Sequence, residues 1–327
     1  AAGTAASRSS GGPLPATDRK ARRRHRIVDF SVIIAVKNDA RVADVVAALR
    51  SDLPPNGEIL VADDGTPGVL PPLPGASIVP IHGSNQCRAR DTVARLARGS
   101  VLLFTDADVV LPRRWIRAAL EAFEDPAVCA VQGNTRAKGG GWLARHLDEE
   151  YNRFVQSHAA IGYADLCDAR CFAVRREVFL RFGFGSEEPY CEDSSLGRRL
   201  FEAGVPIRFV PDWYVEHYWH GSVSGELARF RLYASASERH RLRTGRDLFR
   251  PPDGAAPTGP GASLLRLGHR FPTLAPTTSA GLWGLALALG RLSAVTPGGG
   301  RRFFSRARRA AVLSGRLDPR VRSAPTQ

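Results

Sequence analysis

Short apolar runs alternate with amphipathic stretches from about residue 27 onward. Residues 30–36 (FSVIIAV) are almost entirely apolar, which is typical of a strand covered on both faces. Residues 41–49 place apolar side chains at helical spacing, and residues 58–62 form a second apolar run. This order of strand, helix and strand predicts a βαβ unit in a parallel sheet.

The alternation continues to residue 210. Predicted strands cover residues 77–81, 101–105, 128–132, 172–174 and 207–210, and predicted helices cover residues 89–97, 112–123, 142–158, 176–181 and 194–203. Pro112 would lie in the first turn of its helix, and Gly204 would follow the end of the last one. The pattern predicts an α/β fold with a parallel central sheet flanked by helices.

Composition divides the chain into three parts. Residues 1–26 are rich in Ser, Gly, Ala and Pro and end in a run of arginines, which predicts a disordered basic leader. Residues 27–250 carry the α/β pattern and form the predicted catalytic domain. Residues 251–327 begin with a Pro/Gly/Ala linker and continue as a basic, helical C-terminal extension.

The formal net charge of +14 would ordinarily indicate a polyanionic partner. Here the excess is almost wholly arginine in a chain rich in Ala, Gly and Pro, a composition typical of a GC-rich genome. Five cysteines without a CxxC pair argue against a disulfide framework and against a structural zinc site. We therefore expect a reducing cytoplasm as the protein's compartment.

Acidic residues follow two of the predicted strands. Asp63 and Asp64 end one strand, and Asp106-Ala107-Asp108 ends another. In an extended segment, side chains two residues apart point the same way, so Asp106 and Asp108 present two oxygen ligands on one side. Such ligands suit Mg²⁺ or Mn²⁺, with phosphate oxygens completing the shell. The alternative is an ordinary loop aspartate that caps the next helix.

Six motifs stand in an order and spacing that resembles glycosyltransferase family 2. They are residues 30–38, 58–65, 88–91, 105–108, 192–193 and 211–217, and the resemblance covers about residues 27–220. It implies a GT-A (Rossmann-like) fold, with a mixed, mostly parallel central sheet flanked by helices. It also implies a UDP-, GDP- or dTDP-sugar donor and inversion at the anomeric carbon. The implied acceptor is a hydroxyl on a lipid-linked, polysaccharide or natural-product molecule.

The resemblance also implies roles on the donor side. Asp63 or Asp64 would accept a hydrogen bond from the nucleotide base, and Ala35 and Val36 would line the base pocket. Arg90 would face the base or the diphosphate. Departures from residues common in the family leave the donor unspecified: Ala35, Lys37, Asp91 and Cys171.

The metal assignments rest on the same resemblance. Asp108 would bind Mn²⁺ or Mg²⁺ directly, and Asp106 would approach either the ribose or the metal. His217 is a second candidate ligand, and its imidazole would favour Mn²⁺. His220 is close enough in sequence to take its place.

The glutamate and aspartate of residues 192–193 match the family's base motif. Asp193 would take the proton from the acceptor hydroxyl, and Glu192 would support it or touch the acceptor. The alternative is that Asp193 caps a helix beginning at Ser194, and both hypotheses can hold together.

Two other functions fit parts of the pattern. A sugar-phosphate nucleotidyltransferase shares much of the α/β plan, but its glycine-rich signature is missing after the first strand. A basic nucleic-acid- or membrane-binding protein on a catalytically degenerate fold is the second alternative. Since no recognised nucleic-acid motif appears, we expect no nucleic-acid partner.

The C-terminal extension has its own pattern. Residues 281–290 are apolar, but Arg291 stops the run short of the ~20 residues that a spanning helix needs. Residues 301–316 mix Phe, Val and Leu with many arginines, as in a helix lying on an anionic bilayer. The alternative is a helical hairpin packed on the catalytic domain. We expect peripheral affinity for the inner face of the cell membrane, which a lipid-linked acceptor would explain.

Overall fold

The computed structural model describes residues 29–81, 85–139, 141–159, 167–185, 190–219, 222–245, 275–295 and 300–321. The predicted leader (1–26), the predicted linker (251–260) and His220 lie outside the described residues.

One eight-stranded sheet forms the centre of the fold, in the spatial order β3-β2-β1-β4-β7-β6-β8-β5. The strands are β1 Phe30–Val36, β2 Gly57–Asp63, β3 Ser77–Pro80, β4 Val101–Asp106, β5 Val109–Val110, β6 Ala130–Lys138, β7 Phe172–Arg175 and β8 Ile207–Tyr218. Strands β3, β2, β1 and β4 run parallel, as do β6 and β8. Strand β7 is antiparallel to both neighbours, and β5 is antiparallel to β8. The predicted mixed, mostly parallel sheet is confirmed.

Helices flank this sheet and continue beyond it. They are α1 Val42–Ser51, α2 Gln86–Leu96, α3 Trp115–Ala122, α4 Trp142–Ala159, α5 Arg176–Phe182, α6 Glu192–Glu202, α7 Val223–Thr244, α8 Ala275–Val295 and α9 Gly300–Arg316, followed by a 3₁₀ turn at Pro319–Val321.

The core lies on both faces of the sheet. Val32 and Ile34 of β1 pack with the buried residues of α1 and α3. Ile33 points the other way and packs with α2, α5 and α6, in a cluster that includes Phe104. The nearly continuous apolar run of β1 follows from this arrangement, because neither of its faces meets water.

Several element boundaries differ from the sequence prediction, three of them at α3, α6 and β8. Helix α3 begins at Trp115, so Pro112 lies before the helix rather than in its first turn. Arg114 precedes it in the left-handed conformation (φ 63°), so the chain turns sharply there. Helix α6 begins at Glu192, two residues before the predicted start at Ser194.

The third difference concerns β8, which continues to Tyr218 instead of ending near residue 210. Its pairing with β6 is irregular, because Phe209 lies opposite Gln132 and the next paired residue, Tyr214, lies opposite Asn134. Pro211, which has no N–H to donate, falls in this unpaired part. The pairing then resumes to Tyr218, and β6 is correspondingly longer than predicted.

Helices α8 and α9 form an antiparallel hairpin that packs on α4 and α7. Phe304 is fully buried there, with edge-on contacts to Trp142 and His146 of α4. Arg301 pairs with Glu149 of α4 at 2.7 Å. The packed hairpin is therefore present, and no helix in the described part of the chain is long and apolar enough to cross a bilayer.

Candidate active site

Three potential metal ligands meet beyond the end of β4. Asp106 is the last residue of β4, Asp108 lies in the turn before β5, and His217 belongs to β8. The pairing of β5 with β8 brings them together, since Val109 lies opposite His217. One ligand atom from each of the three residues lies within 4.8 Å of the other two. His217 Nε2 is 3.3 Å from Asp108 Oδ2.

This cluster has the size and chemistry of a divalent metal site. Ligands of Mg²⁺ stand about 2.1 Å from the ion, so opposite ligands are about 4.2 Å apart. The 4.8 Å limit of the cluster requires only a small closure. Two carboxylates and one imidazole suit Mn²⁺ or Mg²⁺. The residues present therefore fit such an ion.

Arg90 connects the metal cluster to the start of α6. Its side chain, on α2, is buried and forms ion pairs with Asp106 and with Glu192, the latter through Nη1 at 2.8 Å. Burial opposes the charge of Arg90, but Asp106 and Glu192 outweigh it and raise its pKa above the usual value. Gln86 donates to the same Glu192 oxygen at 3.3 Å. The predicted contact of Arg90 with the nucleotide stays a prediction.

Asp193 lies in the first turn of α6, directly after Glu192. Its Oδ1 accepts from the Ser194 amide at 2.7 Å, and its Oδ2 accepts from the Ala169 amide at 3.4 Å. The helix N-cap is Cys191, so Asp193 does not cap a helix that begins at Ser194. Burial first, and then the carboxylates of Glu192 and Asp168, raise the pKa of Asp193 to about 7. The group is therefore poised to exchange a proton near neutral pH.

A polar network beside Asp193 was missed from the sequence. Asp168 forms a bidentate pair with Arg170, in which Nε donates to Oδ1 at 2.9 Å and Nη2 donates to Oδ2 at 2.5 Å. The Tyr151 hydroxyl donates to Oδ2, and Gln132 Oε1 accepts from the Asp168 amide at 2.7 Å. Burial opposes the ionisation of Asp168, but Arg170 and Tyr151 outweigh it and lower its pKa to about 2.

The only sequence signal for this network was an acid and an arginine two residues apart before a predicted strand. Its other partners come from distant parts of the chain, since Tyr151 belongs to α4 and Gln132 to β6. The packing of α4 on the sheet brings these partners to Asp168, and local sequence patterns do not encode that packing.

Aromatic rings extend the network to the metal cluster. The guanidinium carbon of Arg170 stands 5.3 Å from the centre of the Trp219 ring, and Trp219 meets His217 edge-on at 5.2 Å. Trp213, by contrast, is buried in the core against Trp115. Near the end of β8, Trp219 therefore contacts the site, and so does Tyr218, whose amide donates to the Asp108 carbonyl at 3.3 Å.

The predicted donor-binding residues lie at the same edge of the sheet. Ala35 lies opposite both Ala62 of β2 and Asp106 of β4, so the carboxyl ends of these three strands coincide. Asp63 Oδ1 accepts from the Thr66 amide at 2.9 Å, and Asp64 is buried with Lys37 Nζ at 3.6 Å. Val36, the last residue of β1, is also buried. Nucleotide binding by these residues stays a prediction.

Comparison with known proteins adds the family. Residues 31–183 match the family model described as Glycosyl transferase family 2. This part of the chain belongs to glycosyltransferase family 2. The resemblance inferred from the sequence motifs is thereby confirmed.

Curated relatives of this chain are named as glycosyltransferases. An N-acetylglucosaminyltransferase from Rhizobium sp. (strain N33) is 28% identical over 139 residues, which are 38% of this chain and 31% of the relative. A pre-mycofactocin glycosyltransferase from Mycobacterium tuberculosis is 26% identical over 227 residues, 64% of this chain and 47% of the relative. The chain thus spans half or less of the length of these relatives.

Solved structures establish the fold of the chain. A mannosyltransferase from Pyrobaculum calidifontis in complex with GDP-Man and Mn²⁺ superposes with a TM-score of 0.56, at 20% identity and 86% coverage of each chain. Glucosyl-3-phosphoglycerate synthase from Mycobacterium tuberculosis, in complex with Mn²⁺, UDP and glucosyl-3-phosphoglycerate, has a TM-score of 0.50 at 16% identity, covering 71% and 84% of the two chains. The predicted GT-A fold is confirmed.

Proposed function

We propose that the protein is an inverting glycosyltransferase that moves a sugar from a nucleotide-diphosphate donor to an acceptor hydroxyl. The observation that carries this proposal is the arrangement of two groups around Arg90. A three-ligand cluster lies on one side of it, and the Glu192-Asp193 pair lies on the other. A metal site for a diphosphate and a base for a hydroxyl are what such a transfer requires.

Asp106, Asp108 and His217 would hold Mn²⁺ or Mg²⁺. When bound, such an ion supplies positive charge against the charge that develops on a departing diphosphate. Arg41 lies 3.8 Å from Asp108 and adds a cation at this end of the site. Mn²⁺ is also present in the mannosyltransferase structure named above, which supports the choice of metal.

Asp193 would act as the base. Its pKa of about 7 allows it to receive the acceptor's proton without being locked in the ionised form. The acceptor oxygen would attack the anomeric carbon as the bond from that carbon to the nucleoside diphosphate breaks, and the acceptor's proton would move to Asp193. A single displacement of this kind inverts the anomeric configuration.

The donor is proposed as a UDP-, GDP- or dTDP-sugar, with Asp63, Asp64, Ala35 and Val36 at the nucleotide. Complexes of the structural neighbours with GDP-Man and with UDP support a nucleotide-sugar donor. The acceptor is proposed as a lipid-linked, polysaccharide or natural-product hydroxyl. We propose a cytoplasmic protein that is peripheral at the inner face of the membrane.

The decisive experiment measures thermal stability with UDP, GDP, dTDP and CDP, each with and without Mn²⁺. At least one nucleotide should raise the melting temperature only when Mn²⁺ is present, because a ligand that binds the native state alone stabilises it. The effect should be lost in Asp108→Asn and kept in Asp212→Asn, an exposed aspartate of β8. If no nucleotide stabilises the parent protein, a degenerate binding protein becomes the better account.

A further inference from the structure

The C-terminal hairpin is strongly and uniformly basic. Residues 275–316 contain seven arginines and no aspartate or glutamate. Three of these arginines, Arg301, Arg308 and Arg316, pair with Glu149, Glu150 and Glu238 of α4 and α7. Within the described part of the chain, the other four are exposed and form no ion pair: Arg291, Arg302, Arg306 and Arg309.

Three of the exposed arginines lie along one side of α9. Arg302, Arg306 and Arg309 are spaced by four and three residues, so they form one stripe. Phe304, which is fully buried, points toward α4 and α7 instead. The arginine stripe therefore faces away from the rest of the protein.

Helix α8, the other helix of the hairpin, carries exposed apolar side chains. Leu285, Leu292 and Val295 are 50%, 45% and 74% exposed, and their spacing places them on one side of the helix. The opposite side is buried, where Gly290 lies against Leu227 of α7. These three residues, together with Arg302, Arg306 and Arg309 of α9, are called the outer face of the hairpin.

We propose that the outer face binds the surface of an anionic lipid bilayer. Its arginines would meet lipid phosphates, and its leucine and valine side chains would enter the boundary between headgroups and acyl chains. Charge complementarity favours an anionic bilayer over other partners at this face. A second copy of the chain would bring arginines against arginines, and nucleic acid would leave the leucines in water.

Docking through this face would also orient the proposed active site. The hairpin packs on α4, and α4 supplies Tyr151 to the Asp168 network beside Asp193. A bilayer at the outer face would therefore lie at a fixed distance and orientation from Asp193, the proposed base. The orientation of the active site rests on the proposed function and favours a lipid-linked acceptor. Docking on the bilayer does not depend on the reaction.

The test is flotation of the full chain with phosphatidylcholine vesicles, with and without phosphatidylglycerol. The parent protein should float with the anionic vesicles only. Arg302→Glu/Arg306→Glu/Arg309→Glu should weaken this binding by at least about tenfold, because each arginine near an anionic surface contributes measurably. Leu285→Gln/Leu292→Gln should weaken it while leaving the charge unchanged.

The matched control is Arg113→Glu/Arg117→Glu/Arg208→Glu, which makes the same charge change at exposed positions outside the hairpin. It should bind as the parent does. The proposal is overturned if the parent ignores anionic vesicles, if the outer-face variants bind unchanged, or if the control loses as much binding as they do. Nucleotide-dependent thermal stabilisation, measured on every variant, separates this outcome from a failure of the proposed reaction and reports correct folding.

Discussion

The surroundings of the Asp193 side chain support the proposed chemistry most directly. It stands in the first turn of α6 beside Glu192, and burial with nearby carboxylates raises its pKa to about 7. Positive charge from Arg90 and the Ser194 amide act in the opposite direction. The balance leaves a carboxylate that gains and loses its proton in the neutral range, as a base for a hydroxyl group requires.

Replacing this carboxylate separates binding from chemistry. Asp193→Asn should lower the transfer rate by about 10² to 10⁴, the usual contribution of a positioned base, because an amide takes up no proton at neutral pH. Its affinity for nucleotide with Mn²⁺ should stay close to that of the parent, as isothermal titration would measure. Asp212→Asn, at an exposed position of β8, should change neither quantity. Full transfer activity in Asp193→Asn would remove this residue from the mechanism.

The pKa of Asp193 also predicts a pH profile. A base works in its deprotonated form, so kcat/KM should fall as pH drops through about 7. Below about pH 6 the decline should approach tenfold per pH unit, since only the ionised fraction reacts. Thermal stability measured over the same range would exclude unfolding as the cause. A profile that stays flat between about pH 5 and 8, the range over which a group near neutrality titrates, would contradict the assignment of Asp193 as the base.

Between elements, Asp168 ties three segments to Asp193. Its network joins β6 through Gln132, α4 through Tyr151, and the segment before β7 through Arg170. The next residue, Ala169, donates its amide to Asp193. We therefore regard Asp168 as a positioning residue. It holds Asp193, the proposed base, in place and contributes negative charge near it.

Asp168→Asn tests this role through the pH profile. Loss of the Asp168 charge removes one of the causes that raise the pKa of Asp193, and it leaves Arg170 as an uncompensated cation. The acidic limb of kcat/KM should consequently move to lower pH, while nucleotide affinity with Mn²⁺ is retained. The unfolding free energy should also fall, because one partner of a buried ion pair is removed. A loss of stability with an unmoved acidic limb would leave Asp168 a purely structural role.

The same interplay of elements explains the errors in the predicted boundaries. Strand β8 continues past Pro211 because β6 resumes pairing with it at Asn134. No local sequence pattern predicts this resumed pairing. This extension carries His217 to a position opposite Val109, next to Asp108. The residue was identified from its place in a motif, but its position beside the aspartates follows from strand pairing.

As one folded chain, the protein joins its sheet to the C-terminal hairpin through α4 and α7. Phe304 lies at this junction, fully buried against Trp142, His146 and Phe230. Arg231 of α7 pairs with Asp318 at 2.9 Å at the far end of the hairpin. These contacts predict that the hairpin unfolds together with the catalytic part.

Phe304→Ala should reduce the free energy of unfolding by about 3 to 5 kcal/mol, the usual cost of removing a buried phenylalanine ring. Urea denaturation should still show one transition, shifted to lower urea. Phe201→Ala is the matched control, since Phe201 of α6 is 42% exposed, and it should cost less than about 1 kcal/mol. A separate early transition, with the remaining unfolding unchanged, would instead show an independently folding hairpin.

The sequence by itself determined the fold class, the family and the residue types available for chemistry. Apolar runs and helical spacing are local properties, so β1, β2, β4 and the helices between them were readable from them. The order of six motifs resembled glycosyltransferase family 2. Because the carboxyl ends of parallel strands gather at one edge of a sheet, the acidic residues at those ends were expected to lie close together.

Tertiary structure alone decided how these residues meet. Arg90 spans Asp106 and Glu192, which lie 16 and 102 residues away in sequence. Asp168 is held by Gln132, Tyr151 and Arg170, and the amide of the next residue, Ala169, donates to Asp193. Ion pairs and hydrogen bonds depend on distances of a few ångströms between groups that the chain brings together only on folding. The sequence therefore supplied an aspartate in the right motif, and the folded environment gave it a pKa suited to a base.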